Sequence, residues 1–536
     1  MIIFVADMFA SDYVGGAELT TEAIISDSLL PVQKAHSQFI DVQIMERHKD
    51  KIWIFGNFSN LNERCILYAA KNLNYFVLEY DYKYCEFRSP EKHVSAHGVC
   101  NCENNRRAKL ISAFYKKALT TWFMSENQRQ KYISKFSFLN SDNIKVLSSV
   151  FSRQTLDVLE NTNIQEKNNK WIILNSPSWI KGVSTAVEYA KENNLDYELV
   201  WGLEHSEFLA KMAKSKGVIY LPPGGDTCPR FIIEAKILGC ELIINENVQH
   251  KNEPWFNSRD SILEYLKERT NVFWGAVEEA ALKVDTIDKN YDIKYNIIVP
   301  FYNAEKWISK CIRSVKNQRY NNFQCTLIDD MSTDQSAACV EKLIKNDSRF
   351  KLIKNKQKNY ALKNIAMAIE SSDNKDEDVI ILLDGDDWFS STMTLSRLNK
   401  EYDNENCYVT YGSYVIYPTG WVGPEPSQYP DKVIQSNEFR EDTWRASHLR
   451  TFRYKMWKNI DHDDLKDDCG DYYKMAYDQA IMLPILEMAS ERIVYIPDIL
   501  HVYNKENPIN VDKIKAIEQK NTANEIRRKK KYERSP

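Results

Sequence analysis

The chain has 536 residues, 43% of them hydrophobic and 27% charged, too long for one ordinary core and suited to two to four domains. With 71 basic against 75 acidic residues, the net charge of -4 gives no global reason to expect a nucleic-acid partner. Eleven scattered cysteines fit a reducing compartment better than a disulfide framework. The opening MIIFVADMF lacks the basic flank and apolar length of a signal peptide, and no stretch approaches the roughly 20 apolar residues of a membrane span. The expectation is a cytoplasmic protein, at most peripheral to a membrane.

In chain order, residues 1–160 open with the strand IIFVAD, then VGGAELTTEAI, where Gly15 and Gly16 precede a helical pattern. Apolar runs follow at KIWIFGNF and NYFVLEY, with a helical stretch near RAKLISAFYKKALTTWFM. Strand-then-helix alternation predicts an α/β layer with a parallel sheet. Inside this segment, YCEFRSPEKHVSAHGVCNCEN brings Cys85, His93, His97, Cys100 and Cys102 close in sequence. Thiolates with imidazole can hold Zn²⁺, here at Cys85, His93, Cys100 and Cys102, although Cys-x-Cys is tighter than zinc-finger spacing. Arg88 and His93 suit a phosphate or sugar equally well.

Residues 161–255 repeat the grammar: WIILN, YELVWG, GVIYLPP and CELIINE read as strands, separated by the helices VSTAVEYAKENN, HSEFLAKMAKSK and PRFIIEAKILG. A polar, helix-like stretch over 256–294 connects this unit to the next. Residues 295–510 begin afresh with YNIIVPFYN, and QCTLIDD, FKLIKN, VIILLDG and CYVTYGSYVIY follow as strands. TWRASHLRTFRYKMW, with His448, Arg450 and Arg453 among aromatics, could present a surface for a sugar or phosphate, and a half-buried helix is the safer reading. The last segment, 511–536, ends in EIRRKKKYERSP, a basic tail able to attract anionic lipid, although a solvated helix end has the same composition.

The chemistry gathers where strands end in carboxylates: Asp329, Asp330 and Asp334, then Asp384, Asp386 and Asp387. Ligands of open α/β sheets collect at such carboxyl ends. Crowded carboxylates repel, and a hard cation such as Mg²⁺ or Mn²⁺ with phosphate oxygens relieves them. A solvated acidic turn is the plain alternative.

Four motifs in order over 295–390 resemble glycosyltransferase family 2, whose domain has the GT-A fold: IIVPFYNAEKWISKCIRSVKNQ, LIDDMSTDQS, ALKNIAMAI and LLDGDDW. Met331 stands where a glycine is usual, and Lys363 where an arginine is usual. The resemblance implies that the Pro300–Tyr302 backbone and Asp329 hold the base and Asp384 the ribose. Asp386 would coordinate Mn²⁺ or Mg²⁺ on the diphosphate, and Lys363 would position the donor. Transfer also needs a base for the acceptor hydroxyl. Asp478, in MAYDQAIMLPILEMA, is the candidate, and an aspartate there also suits a helix N-cap. Asp471 and DHDDLKDD are rivals that read as a solvated loop. His501 sits where some family members place a metal-binding histidine, and a structural histidine is the alternative.

Residues 1–250 resemble a small member of glycosyltransferase family 4, with the GT-B fold of two Rossmann-like units. Gly15 and Gly16 match its phosphate loop, Lys181 its Lys-Gly element, and Asp226 with Glu234 its paired acidic positions, Glu234 in the catalytic place. Ser176 replaces the usual arginine, a loss of about 1–3 kcal/mol from diphosphate binding.

The expected protein is therefore α/β, a GT-B-like pair of units followed by a GT-A domain. It would transfer a sugar from a UDP- or GDP-linked donor to a glycan or lipid-linked acceptor, with inversion in the GT-A domain. The first half would be a second transferase or a degenerate acceptor-binding module. A non-catalytic glycan-binding protein is one alternative. A nucleotidyltransferase is another, but no Gly-rich, cation-bearing triphosphate loop follows the strand at 295–301.

Overall fold

The computed structural model describes residues 2–162, 167–282, 291–509 and 515–535. Parts of the expected connection (283–290) and of the basic tail (511–514) lie outside the described residues. The chain forms two compact units, one comprising Ile2–Ser28 and Val32–Val277, the other Leu29–Pro31 and Glu278–Pro536.

The first unit holds two parallel sheets. Strands β1 (Ile2–Ala6), β2 (Val32–His36), β3 (Ile52–Phe55), β4 (Asn74–Glu79), β5 (Thr120–Phe123) and β6 (Ile144–Val146) assemble in the order β2-β1-β3-β4-β5-β6. β1 is apolar and buried throughout, as a strand covered on both faces requires. The helix expected through ALTTWFM stops earlier. It spans Arg106–Lys117, capped by the Asn105 side chain, and the β-branched and aromatic Thr120–Phe123 pair as β5 instead. The second sheet has β7 (Trp171–Leu174), β8 (Tyr197–Val200), β9 (Gly217–Tyr220) and β10 (Glu241–Ile244) in the order β10-β9-β7-β8. The expected connection is helical at Arg259–Lys267 and Arg269–Leu282. Its first part belongs to this unit: Ile262, Leu266 and Phe273 are buried, and Trp274 Nε1 donates to the Ile24 carbonyl at 2.9 Å.

The second unit is built on one mixed sheet. β11 (Tyr295–Phe301), β12 (Phe323–Asp329), β13 (Phe350–Lys354) and β14 (Val379–Leu382) run parallel, and β15 (Trp388–Phe389), β16 (Val409–Tyr417), β17 (Arg450–Arg453) and β18 (Ile493–Asn504) complete the order β13-β12-β11-β14-β17-β16-β18-β15. β17 lies antiparallel between β14 and β16. The segment read as a half-buried helix is therefore a central strand, followed only by the short helix Tyr454–Lys458. The helix Tyr477–Ala489 is buried on nearly every face, consistent with its apolar sequence.

The basic tail folds onto this unit rather than standing free. Its helix Ala516–Arg528 buries Ile526, and Arg440 forks onto both Glu487 oxygens (2.7 and 2.9 Å) while donating to the Ile526 carbonyl. Arg527 donates to Gln479, Lys529 to the Lys466 carbonyl, and Lys531 pairs with Glu441. No helix among the described residues is long and apolar enough to cross a membrane.

Candidate active site

In the second unit, β11 and β14 bring their carboxyl ends side by side, with Gly385 N–H donating to the Pro300 carbonyl at 3.1 Å. A Cβ on Gly385 would lie 2.3 Å from Phe301 Cβ, so only glycine lets the carboxylate loop come this close. After β12, Asp329 accepts from Ser332 N–H, and Met331 adopts a left-handed φ of 64° where the resemblance leads one to expect glycine. Asp330 accepts from Asn355 and from the Asn359 and Tyr360 N–H groups. Burial raises its carboxyl, but these donors outweigh it and hold it below the usual range. They also anchor the start of the helix Tyr360–Glu370, which carries Lys363.

The three carboxylates after β14 have different partners. Asp384 accepts the Tyr477 hydroxyl at 2.6 Å. Asp386 accepts the Asn507 amide at 2.7 Å. Asp387 is buried and accepts both Asn504 N–H (2.8 Å) and His501 Nε2 (2.9 Å). Burial, reinforced by the charges of Asp387 and Asp384, pushes the Asp386 carboxyl up to about 8. That is the state of a carboxylate set short of positive charge, and its hard oxygens fit Mg²⁺ or Mn²⁺. His501 thus meets Asp387 rather than Asp386. Among the described residues its Nδ1 is buried without a hydrogen-bond partner, its ring stacks on His448 at 4.3 Å, and Asp387, His448 and His501 each present a ligand atom within 4.8 Å of the others.

Among the described residues, the positive charge that reaches this cluster is Arg450, at the start of β17. Its guanidinium is 3% exposed, 3.6 Å from Asp384 and 3.7 Å from Asp478. Asp478 is therefore beside the Asp384 carboxylate, although far from it in sequence. It is not the helix cap: Ala476 holds that place with no side-chain bond, and Asp478 lies inside the first turn. Arg450, Tyr477 and Asn507 were not singled out by sequence reasoning as partners of these carboxylates. A buried arginine must find carboxylates, a signal that becomes readable once RTFR is known to be a central strand.

A second constellation lies in the first unit. Gly15, Gly16, Lys181, Asp226, Arg230 and Glu234 line one cavity of about 560 Å³, the size of a small-molecule site. Gly15 and Gly16 open the helix Gly16–Ser26. Gly182 turns the chain after Lys181 at φ 59°, where a Cβ would meet the Leu221 carbonyl. Lys181 pairs with Asp226 at 2.8 Å, and Asp226 also accepts the Tyr220 hydroxyl. Glu234, on the helix Arg230–Ile237, is 2% exposed and meets His205 Nε2 at 3.0 Å. Ser176 lines the same cavity. Two lining residues were not foreseen, His205 and Arg230. The Arg230 guanidinium stacks on Phe151 at 3.8 Å and donates to the Val150 carbonyl.

The sequence profile described as Glycosyl transferase family 2 matches residues 296–464. A glycosyltransferase of Haemophilus influenzae is 35% identical over 176 residues, 32% of this chain and 68% of that protein. The chain belongs to glycosyl transferase family 2. The chain is also similar to glycosyltransferase GlyA of Streptococcus pneumoniae, 25% identical over 227 residues, 40% of this chain. The chain spans only 30% of that relative's length. A crystal structure of Staphylococcus aureus TarS 1–349 with UDP-GlcNAc is 20% identical at a TM-score of 0.33, covering 40% of this chain and 59% of TarS 1–349, a likeness too low to inform the site.

Proposed function

We propose that the family 2 domain transfers a sugar from a UDP- or GDP-linked donor to a glycan or lipid-linked acceptor, with inversion. One observation carries this reading: Arg450 stands between Asp384 and Asp478, at 3.6 and 3.7 Å, tying a nucleotide-binding carboxylate to a base. Asp329 and the Pro300–Tyr302 backbone hold the base of the donor, Asp384 its ribose, and Lys363 helps to position it. Asp386 would hold a divalent cation, which neutralises charge growing on the leaving diphosphate. Asp478 takes the acceptor hydroxyl proton as the new glycosidic bond forms and the bond to the diphosphate breaks. Attack opposite the leaving group inverts the anomeric centre. His501 fixes Asp387, the neighbour of Asp386.

The first unit supports a second reading, because its expected GT-B residues converge on one cavity. We infer that this cavity binds either a second nucleotide sugar, with Glu234 acting catalytically, or the growing acceptor.

The test is nucleoside diphosphate release across a panel of nucleotide sugars, with Mn²⁺ or with EDTA. Release that needs both metal and Asp386 is the expected result. Release surviving Asp386→Ala and lost in Glu234→Ala assigns turnover to the first unit. Release from the family 2 domain indifferent to Asp386 and to EDTA would sink the metal-dependent reading. Direct donor binding, followed by calorimetry with and without Mn²⁺, separates a binding protein from an enzyme awaiting its acceptor.

A further inference from the structure

Between β4 and the helix Arg106–Lys117, the first unit carries a long excursion that contains the helix Pro90–His97 and a short turn at Cys102–Asn104. Three parts of it meet side chain to side chain. Cys85 Sγ lies 3.7 Å from Cys100 Sγ and 3.5 Å from His93 Nδ1, and Cys102 Sγ lies 3.2 Å from the same nitrogen. All four ligand atoms fall within 4.8 Å of one another. The 3.7 Å sulfur–sulfur separation is far beyond a disulfide bond of roughly 2.0 Å.

These separations have a simple geometric meaning. With Zn–S near 2.3 Å and Zn–N near 2.0–2.1 Å, a tetrahedral site sets sulfurs about 3.8 Å apart and a sulfur and nitrogen about 3.6 Å apart. The observed edges of 3.7, 3.5 and 3.2 Å approach that tetrahedron. Cys85 and Cys102 are buried, with Cys100 and His93 half-buried. Phe87 stacks on the His93 ring at 4.8 Å, fixing its orientation.

We propose that Cys85, His93, Cys100 and Cys102 bind one Zn²⁺ as a closed structural site. Three thiols and one neutral imidazole take up the ion with release of three thiol protons, and no position is left for water. The role is to staple the excursion, because the ligands come from its first turn, its helix and its exit. Arg88, three residues after Cys85, donates to Asp81 and Asn57, and with Lys92 lines a hollow shared with Lys181 and Asp226. The staple therefore sets one wall of the first unit's cleft. The Cys-x-Cys spacing that weakens the motif in sequence works here because Cys100 precedes the short turn Cys102–Asn104 that Cys102 opens, so that both sulfurs reach the cluster.

The test is elemental analysis of the full chain purified under reducing conditions without chelator. About one zinc per chain is expected, falling below roughly a tenth in Cys102→Ser and in His93→Ala. Cys469→Ser and Asp386→Ala should keep it, separating the site from an exposed thiol and from the family 2 carboxylates. If the site variants do not fold, cobalt substitution in the wild type decides. Strong thiolate-to-cobalt bands with a tetrahedral ligand-field spectrum are expected. A folded, zinc-free wild type whose three thiols alkylate freely would overturn the proposal. So would a mass two hydrogens lower, marking a disulfide, or a cobalt spectrum without thiolate bands.

Discussion

At the residue scale, Arg450 decides how the family 2 domain can carry so many carboxylates. An arginine keeps its charge in a buried strand, where a lysine would shed its proton more readily. Arg450→Met should leave Asp384 and Asp478 without their shared cation and lower kcat/KM by about 100-fold, with Arg450→Lys intermediate. Steady-state kinetics on the family 2 donor check this. Gly385→Ala should be as damaging, since its Cβ would push on Phe301. His250 carries a different prediction. Burial holds its imidazole down at about 3, with neither ring nitrogen hydrogen-bonded among the described residues and Trp255 stacked on it at 5.5 Å. The unfolded chain therefore takes up a proton that the folded chain refuses. Stability is full above the ordinary histidine value and falls as pH drops through the window toward 3, by up to about 1.4 kcal/mol per pH unit. Scanning calorimetry of the first unit's transition at pH 7.5 and 5.5 should show that loss in the wild type, and a smaller one in His250→Phe.

At the element scale, the C-terminal helix Ala516–Arg528 is held by the buried Arg440–Glu487 pair, 2% and 0% exposed. Removing one partner leaves a buried charge uncompensated, so Arg440→Met should cost roughly 3–5 kcal/mol. Urea unfolding of the second unit measures it, and an unchanged midpoint would show that the helix docks by apolar contact alone. Most elements were legible as apolar runs bounded by turn residues, from IIFVAD to VIILLDG. Other strands, β6, β15 and β18 among them, were not read from the sequence, and three of the exceptions have plain physical causes. β2 is an edge strand whose polar sequence, VQKAH, shows little alternation of exposure. Only Ala118 and Leu119 separate β5 from the end of a helix, so TTWF reads as its continuation. β17, RTFR, holds two arginines in a central strand, which no propensity scale favours.

At the scale of the whole molecule, two units each gather their own candidate site from distant parts of the chain. Each variant should therefore lose its own ligand: Asp386→Ala abolishes Mn²⁺-dependent donor binding and Glu234→Gln leaves it unchanged. Titration calorimetry with each nucleotide sugar reads both. The sequence by itself determined the α/β grammar, because alternating strands and helices announce themselves by local period. It also placed the carboxylate and glycine motifs, because tight turns and strand ends demand particular residues. Only the tertiary structure decided which charges meet. Asp384, Arg450 and Asp478, like Cys85, His93 and Cys102, come together through packing between separate elements. No local pattern records which partner a buried side chain will reach.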